Sequence, residues 1–157
     1  MRHINLDLVR VTEAAAIAAS AWVGSGNKEA ADKAATDAMR ERFNQMDFAG
    51  RIVIGEGIKD GSFGLFSGEF VGKYTGKNDE DIWDIAVDPI EGTRPTATSG
   101  PEALAVVAVA EKGGLFATPE FYMNKLAYGP QIASKIDLSL TDPLEKTVKK
   151  MFANVYN

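Results

Sequence analysis

The hexapeptide Asp88-Pro89-Ile90-Glu91-Gly92-Thr93 constrains this chain more than any other segment. It follows residues 82–87, a largely apolar run that is typical of a buried strand. Because proline disfavours helix at the residue before it and fixes its own φ, we expect the chain to turn after Asp88. Gly92 allows the backbone to approach a ligand closely. Two carboxylates and a hydroxyl at the end of a strand suit a hard divalent cation that holds a phosphate.

The composition excludes several other kinds of site. The 157 residues include no cysteine, which excludes disulfides, zinc–thiolate sites and thiol catalysis. The net charge of -5 argues against a nucleic-acid partner. The single histidine, His3, lies beside the N-terminus, which disfavours histidine acid–base catalysis. The sequence has no apolar run of transmembrane length and no signal-peptide pattern, so we expect no membrane partner and a cytoplasmic location.

The order of the predicted elements favours an α+β fold. Apolar residues at three- and four-residue steps predict two N-terminal helices, over about residues 5–23 and 27–46. Short strands are expected after the helices, at residues 51–54, within 65–74, and at 82–87, 103–110 and 121–128. A last helix is expected from Asp142 to about residue 156. Short connections between strands favour antiparallel pairing. The prediction is therefore two N-terminal helices packed on a mainly antiparallel sheet.

Four acidic residues have positions that suggest a function. Asp32 lies on the second predicted helix, and Glu56 lies between two glycines after the first predicted strand. Asp88 and Glu91 belong to the hexapeptide. The alternative is that each residue is an ordinary surface or turn residue. This alternative is strongest for Asp32, which is isolated on its helix, and weakest for the Asp88 and Glu91 pair.

The same residues carry a resemblance to class II fructose-1,6-bisphosphatases, members of the lithium-sensitive, metal-dependent sugar phosphatase superfamily. The resemblance runs from Val9 to about Leu140; its segments are residues 10–16, 31–32, 53–57, 84–94, 111–113, 122–123, 125–126 and 136–138. The hexapeptide indicates the superfamily, and the flanking segments in this order indicate class II. The chain thus resembles the N-terminal half of the layered αβαβα sugar phosphatase fold.

The resemblance implies a set of metal ligands. Asp32 and Glu56 would bind one divalent metal ion, Mg²⁺ or Mn²⁺, and Asp88 and Glu91 would bind a second. Lys28 matches a lysine that lies near the site in the family.

The resemblance also implies substrate-binding and catalytic residues. Glu91, Gly92 and Thr93 would contact the sugar phosphate, and Tyr122 would contact the substrate as well. Thr93 would help to activate or orient the attacking water. Because a threonine hydroxyl is too weak a base to act unaided, a carboxylate is needed beside it, and Asp60 is the expected partner.

The activity implied by the resemblance is metal-dependent hydrolysis of the 1-phosphate of fructose 1,6-bisphosphate, a step of gluconeogenesis. Sedoheptulose 1,7-bisphosphate is a second candidate substrate, and a homodimer or homotetramer is the expected assembly. The resemblance covers the N-terminal half of a family member, so residues 1–157 are expected to form an N-terminal metal-binding domain without the C-terminal substrate domain. The alternative is a truncated, catalytically incompetent domain that binds metal or associates with another chain.

Overall fold

The computed structural model describes residues 4–56, 64–74, 82–118 and 122–155. They fall into two compact units, residues 1–119 and residues 120–157. The described part of the first unit contains three helices and four strands: α1 (Ile4–Ser20), α2 (Lys28–Asn44), β1 (Ala49–Ile54), β2 (Phe70–Val71), β3 (Ile82–Glu91), α3 (Thr93–Ala97) and β4 (Leu104–Glu111). The described part of the second unit contains α4 (Pro130–Ala133) and α5 (Leu144–Val155).

Helices α1 and α2 pack against each other and against one face of the sheet. Each helix buries one stripe at three- and four-residue spacing, as its sequence predicts; the buried residues are Leu8, Val11, Ala15 and Ala19 on α1, and Ala31, Ala35, Thr36, Met39 and Phe43 on α2. The many alanines allow the two helices to approach closely. The stripes meet Ile52, Ile85 and Val87 of the sheet in one hydrophobic core.

The four strands form a mixed sheet in the order β2-β1-β3-β4. The β1/β2 and β3/β4 pairs are antiparallel, whereas β1 and β3 are parallel. The predicted α+β class, with the N-terminal helices packed on the sheet, is confirmed. The parallel pair was not predicted, and it has a consequence for the site described below.

A buried carboxylate stabilises the middle of the sheet. Asp84 of β3 is completely buried and lies 3.3 Å from Nη2 of Arg51, its partner on β1. Its Oδ2 also accepts a hydrogen bond of 2.7 Å from the backbone N–H of Gly113, after β4. The carboxylate therefore joins three segments of the first unit.

The second unit corrects one prediction and confirms another. Residues 122–128 form no strand, and residue 121 of the predicted strand lies outside the described residues. Since a strand needs a hydrogen-bonded partner, an apolar pattern alone was insufficient there. The last predicted helix is confirmed as α5. No helix within the described ranges is both long enough and apolar enough to cross a membrane.

Candidate active site

The parallel pairing of β1 and β3 brings two of the predicted ligands to the same edge of the sheet. In the register of this pair, Ile54 lies opposite Ala86. Glu56 follows Ile54 by two residues, and Asp88 follows Ala86 by two residues. Because carboxyl ends of parallel neighbours point the same way, both carboxylates belong to one end of the sheet.

A β-bulge places Asp88 and Glu91 on the same face of β3. Asp88 pairs with Val106 and Glu91 pairs with Leu104, so three steps along β3 match two steps along β4. In a regular strand, residues three apart would face opposite sides, and the extra residue corrects this. The prediction that the chain turns after Asp88 is wrong, because β3 continues to Glu91. Pro89, which cannot donate to the ladder, is tolerated within the bulge.

Gly92 ends the strand in a conformation that favours glycine, with φ 100° and ψ 46°. A Cβ atom there would lie 3.3 Å from the Cα atom of Ala103. Thr93 is the first residue of α3, and the Gly92 carbonyl accepts the N–H of Thr96 at 3.1 Å. Pro95 lies in the same first turn, where backbone N–H groups lack helical acceptors, so it does not prevent the helix from forming. The hydroxyl of Thr93 is thus placed directly after the carboxylate pair.

The linker between α1 and α2 is attached to the backbone of α3. The N–H groups of Gly24 and Gly26 donate to the carbonyls of Thr96 and Ala97, at 3.0 and 2.8 Å. Asn27 then caps α2, accepting the N–H of Ala30 at 3.0 Å, as predicted. These bonds fix the start of α2, the helix that carries Asp32, relative to the end of β3.

The carboxyl groups of Asp88, Glu91 and Asp32 interact electrostatically. Burial raises the pKa of Asp88 to about 6, with further contributions from hydrogen bonding and charge repulsion with Glu91 and from the charge of Asp32. Burial also raises the pKa of Asp32, and the neighbouring Glu29 adds to the effect. The structure therefore brings two of the other predicted metal ligands, Glu91 and Asp32, within electrostatic range of Asp88.

The comparison with known proteins decides the family. The family described as bacterial fructose-1,6-bisphosphatase, glpX-encoded, matches residues 2–156. The chain belongs to this family. Curated relatives named D-fructose 1,6-bisphosphatase class 2/sedoheptulose 1,7-bisphosphatase include the protein of Thermosynechococcus vestitus, which is 50% identical over 86% of this chain and 41% of its own length. The Crocosphaera subtropica protein is 44% identical over 94% of this chain and 48% of its own length.

The chain thus spans less than half the length of these bisphosphatase relatives. The family assignment predicted from the hexapeptide and its flanking segments is confirmed.

The candidate site offers carboxylate oxygens but not a closed ligand cage. Within the described ranges, no three acidic or histidine side chains are arranged so that they alone could hold a metal ion. Mg²⁺ does not require such a cage, because it is commonly bound by one or two carboxylates, waters and substrate phosphates. The hydrogen-bonded Asp88 and Glu91 pair, with Asp32 nearby, provides donors of this kind. The residues present therefore fit a hard divalent cation.

Two other predicted site residues, Lys28 and Tyr122, lie in exposed positions, and a third is outside the described residues. Lys28 is the first residue of α2 and lies 3.7 Å from Glu29 in an exposed ion pair. Tyr122, in the second unit, has a fully exposed side chain. Asp60 lies outside the described residues.

The raised pKa of Asp88 predicts how the stability of the metal-free chain depends on pH. In the unfolded chain this carboxyl has its ordinary value of 3.8, whereas in the folded chain its pKa is about 6. Between these values the folded state holds more protons, so the free energy of unfolding falls as pH rises. The full shift corresponds to about 3 kcal/mol, and solvent contact of the half-buried carboxyl reduces it to about 1–2 kcal/mol.

Urea unfolding in a metal chelator at several pH values between 4 and 7 measures this decrease. Asp32, whose pKa is also raised, adds to this decrease, whereas Asp142, whose pKa is lowered by hydrogen bonds from Lys146 and Lys150, has its main effect below pH 4. A stability that stays constant or rises between pH 4 and 6 would contradict the raised pKa.

Proposed function

We propose that the chain is the N-terminal part of a class II fructose-1,6-bisphosphatase that hydrolyses the 1-phosphate of fructose 1,6-bisphosphate, with Mg²⁺ or Mn²⁺ as cofactor. Sedoheptulose 1,7-bisphosphate is the second proposed substrate, as the names of the relatives suggest. The proposal includes a cytoplasmic location and a homodimeric or homotetrameric assembly, both of which rest on the sequence and the family resemblance.

One observation carries the proposal: the bulge in β3 aligns Asp88 and Glu91 directly before Gly92 and Thr93. Two carboxylates on one face provide hard oxygen donors for a cation. The positive φ of Gly92 turns the chain sharply, so the Thr93 hydroxyl follows at once. Two carboxylates, a glycine backbone without a side chain in the way, and a hydroxyl together suit a phosphate that is held beside a cation.

The residues have complementary roles in the proposed reaction. Bound divalent cations would supply the positive charge that the phosphoryl oxygens and the leaving alkoxide need. Asp32 and Glu56 are proposed to hold one cation, and Asp88 and Glu91 the other. Because Gly92 has no side chain, the phosphate can lie close to its backbone.

Water activation is assigned to two further residues. The Thr93 hydroxyl orients the attacking water, and Asp60 accepts the proton that the water releases. Tyr122 is proposed to contact the sugar, and Lys28 is the additional cation near the site. The oxygen of the attacking water bonds to phosphorus while the bond between phosphorus and the sugar oxygen breaks, and the leaving sugar oxygen takes up a proton, so one water is consumed for each phosphate released.

Phosphate release from fructose 1,6-bisphosphate tests the proposal, with Mn²⁺ and with a metal chelator, after intact mass has established which chain is assayed. We expect release only with the metal, and a loss of about 100-fold or more in Asp88→Ala. Asp37→Ala is the matched control, because Asp37 lies on α2 in an exposed ion pair with Lys33 and should leave the rate unchanged. Release that persists in the chelator would contradict the metal-dependent mechanism.

The second candidate function is a metal-binding domain without activity of its own. It is favoured by the share of the relatives described above that the chain spans, which is 41–48% of their length. A purified chain of 16.9 kDa that binds Mn²⁺ but releases no phosphate would support this candidate. Metal-dependent turnover by a chain of that mass would exclude it.

A further inference from the structure

Glu69 has a buried carboxylate that lies outside the predicted ligand set. Its side chain is only 7% exposed, and Oε1 accepts a hydrogen bond of 2.5 Å from Nε of Arg40 on α2. Oε2 accepts a second bond, also of 2.5 Å, from the backbone N–H of Leu65. Burying a carboxylate is costly unless it is paired, and these two donors provide the compensation. The carboxylate thus connects α2 to the segment that precedes β2.

The Leu65 end of this connection is an unusual piece of backbone. Leu65 is completely buried and has a φ of 56°, which non-glycine residues rarely adopt. The preceding Gly64 lies against Arg40, because a Cβ atom there would be 2.8 Å from the Arg40 Cδ atom. Since this conformation is unfavourable on its own, the bond from Leu65 to Glu69 helps to maintain it.

Leu65 in turn contacts the residue before a proposed metal ligand. A Cβ atom on Gly55 would lie 2.1 Å from the carbonyl oxygen of Leu65, so the two backbones are in direct contact. Glu69 also bonds β1 through its own backbone, since its carbonyl accepts the N–H of Ile52 at 2.9 Å. The location of Leu65 therefore limits where Gly55, and the Glu56 that follows it, can lie.

We propose that Glu69 is a positioning residue that fixes Glu56 relative to Asp32. Helix α2 carries both Arg40 and Asp32, so the contacts run from that helix through Glu69 and Leu65 to the Gly55-Glu56 segment. This inference rests on the proposed function, in which Asp32 and Glu56 share one cation. Groups that orient metal ligands from outside typically change metal affinity by about 10–100-fold.

Mn²⁺ binding to the purified chain, followed by the electron paramagnetic resonance of the free ion, tests the proposal. Glu69→Gln keeps the shape of the side chain but removes the charge that Arg40 pairs with. We expect about tenfold weaker binding at one of two sites and unchanged binding at the other, which involves Asp88 and Glu91. Simple destabilisation of the fold would weaken both sites together.

Two further variants make the result decisive. Arg40→Met removes the guanidinium that pairs with Glu69, and because Arg40 is half-exposed this substitution should leave the fold intact. It should reproduce the tenfold loss of Mn²⁺ affinity even if Glu69→Gln fails to fold. Asp84→Asn is the matched control, because Asp84 is also a buried carboxylate paired with an arginine, but its backbone donors follow β4. It should bind Mn²⁺ within about twofold of the original chain.

Unchanged affinity in both Glu69→Gln and Arg40→Met would overturn the positioning role while leaving the metal site intact. An equal loss in Asp84→Asn would overturn it as well. If the unsubstituted chain bound no Mn²⁺, the metal assignment of the proposed function would fail, and the positioning role would fail with it.

Discussion

Replacing Asp88 with Asn is expected to stabilise the metal-free chain by about 1–2 kcal/mol while removing the extra stability that Mn²⁺ confers at the site that involves Asp88 and Glu91. Above pH 6 the ionised Asp88 is half-buried beside Glu91 and within range of the Asp32 charge. A neutral amide of the same size removes this repulsion and can donate a hydrogen bond to Glu91. The same amide is a poor ligand for a hard cation, so the gain in stability accompanies a loss of metal binding.

Urea unfolding at pH 7.5, in chelator and in excess Mn²⁺, separates the two effects. For the unsubstituted chain, Mn²⁺ at 100 times its Kd adds about 2.7 kcal/mol to the free energy of unfolding for each site that it fills, and Asp88→Asn should lose the contribution of the site that involves Asp88 and Glu91. Asp37→Asn is the matched control, since its exposed pair with Lys33 is worth only about 0.2–1 kcal/mol. If the metal-free Asp88→Asn chain is less stable than the original, repulsion between the Asp88 carboxylate and its acidic neighbours does not destabilise the fold.

Gly92→Ala is expected to destabilise the chain by about 1–3 kcal/mol and to reduce phosphate release more than the loss of folded protein explains. Its φ of 100° is unfavourable for any residue with a side chain, and the added Cβ atom would meet the Cα atom of Ala103 at 3.3 Å. If the backbone rotates to relieve this strain, Thr93 moves with it. The substitution therefore affects both the fold and the placement of the hydroxyl.

Gly129→Ala is the appropriate comparison for this glycine. Gly129 has φ -72°, and a Cβ atom there would meet nothing within 4 Å. We expect its stability to stay within about 0.5 kcal/mol of the original, because alanine adopts this conformation readily. The unfolding free energies should be measured in urea, and phosphate release should be compared at equal amounts of folded protein. Equal stability of the two variants would contradict the strained turn at Gly92.

The helical part of the fold could be predicted from the sequence because its signal is local. The spacing of Leu8, Val11 and Ala15 on α1, and of Ala31, Ala35 and Met39 on α2, is the helical period itself. Capping of α2 by Asn27 follows from its neighbours in the chain. The Asp88 and Glu91 pair can be recognised for a similar reason, since the hexapeptide is continuous in sequence.

The assembly of the site could not be predicted in the same way, because it depends on pairing between distant strands. Short connections suggested antiparallel neighbours, yet the parallel register of Ile54 with Ala86 is what brings Glu56 level with Asp88. The sequence predicts a turn where the bulge at Pro89 lies, because proline indicates an interruption without showing whether the strand resumes. Residues 24–26 separate the two predicted helices in the sequence, which does not show that Gly24 and Gly26 donate hydrogen bonds to the backbone of α3.

Mn²⁺ titration of the unsubstituted chain and of Asp88→Asn at pH 7.5, followed by electron paramagnetic resonance, tests most directly the claim that these carboxylates form a metal site. The account predicts saturable binding to the unsubstituted chain and the loss of at least one site in Asp88→Asn, with Asp37→Asn unchanged. Failure of the unsubstituted chain to bind Mn²⁺, or equal binding by the unsubstituted chain and Asp88→Asn, would contradict it.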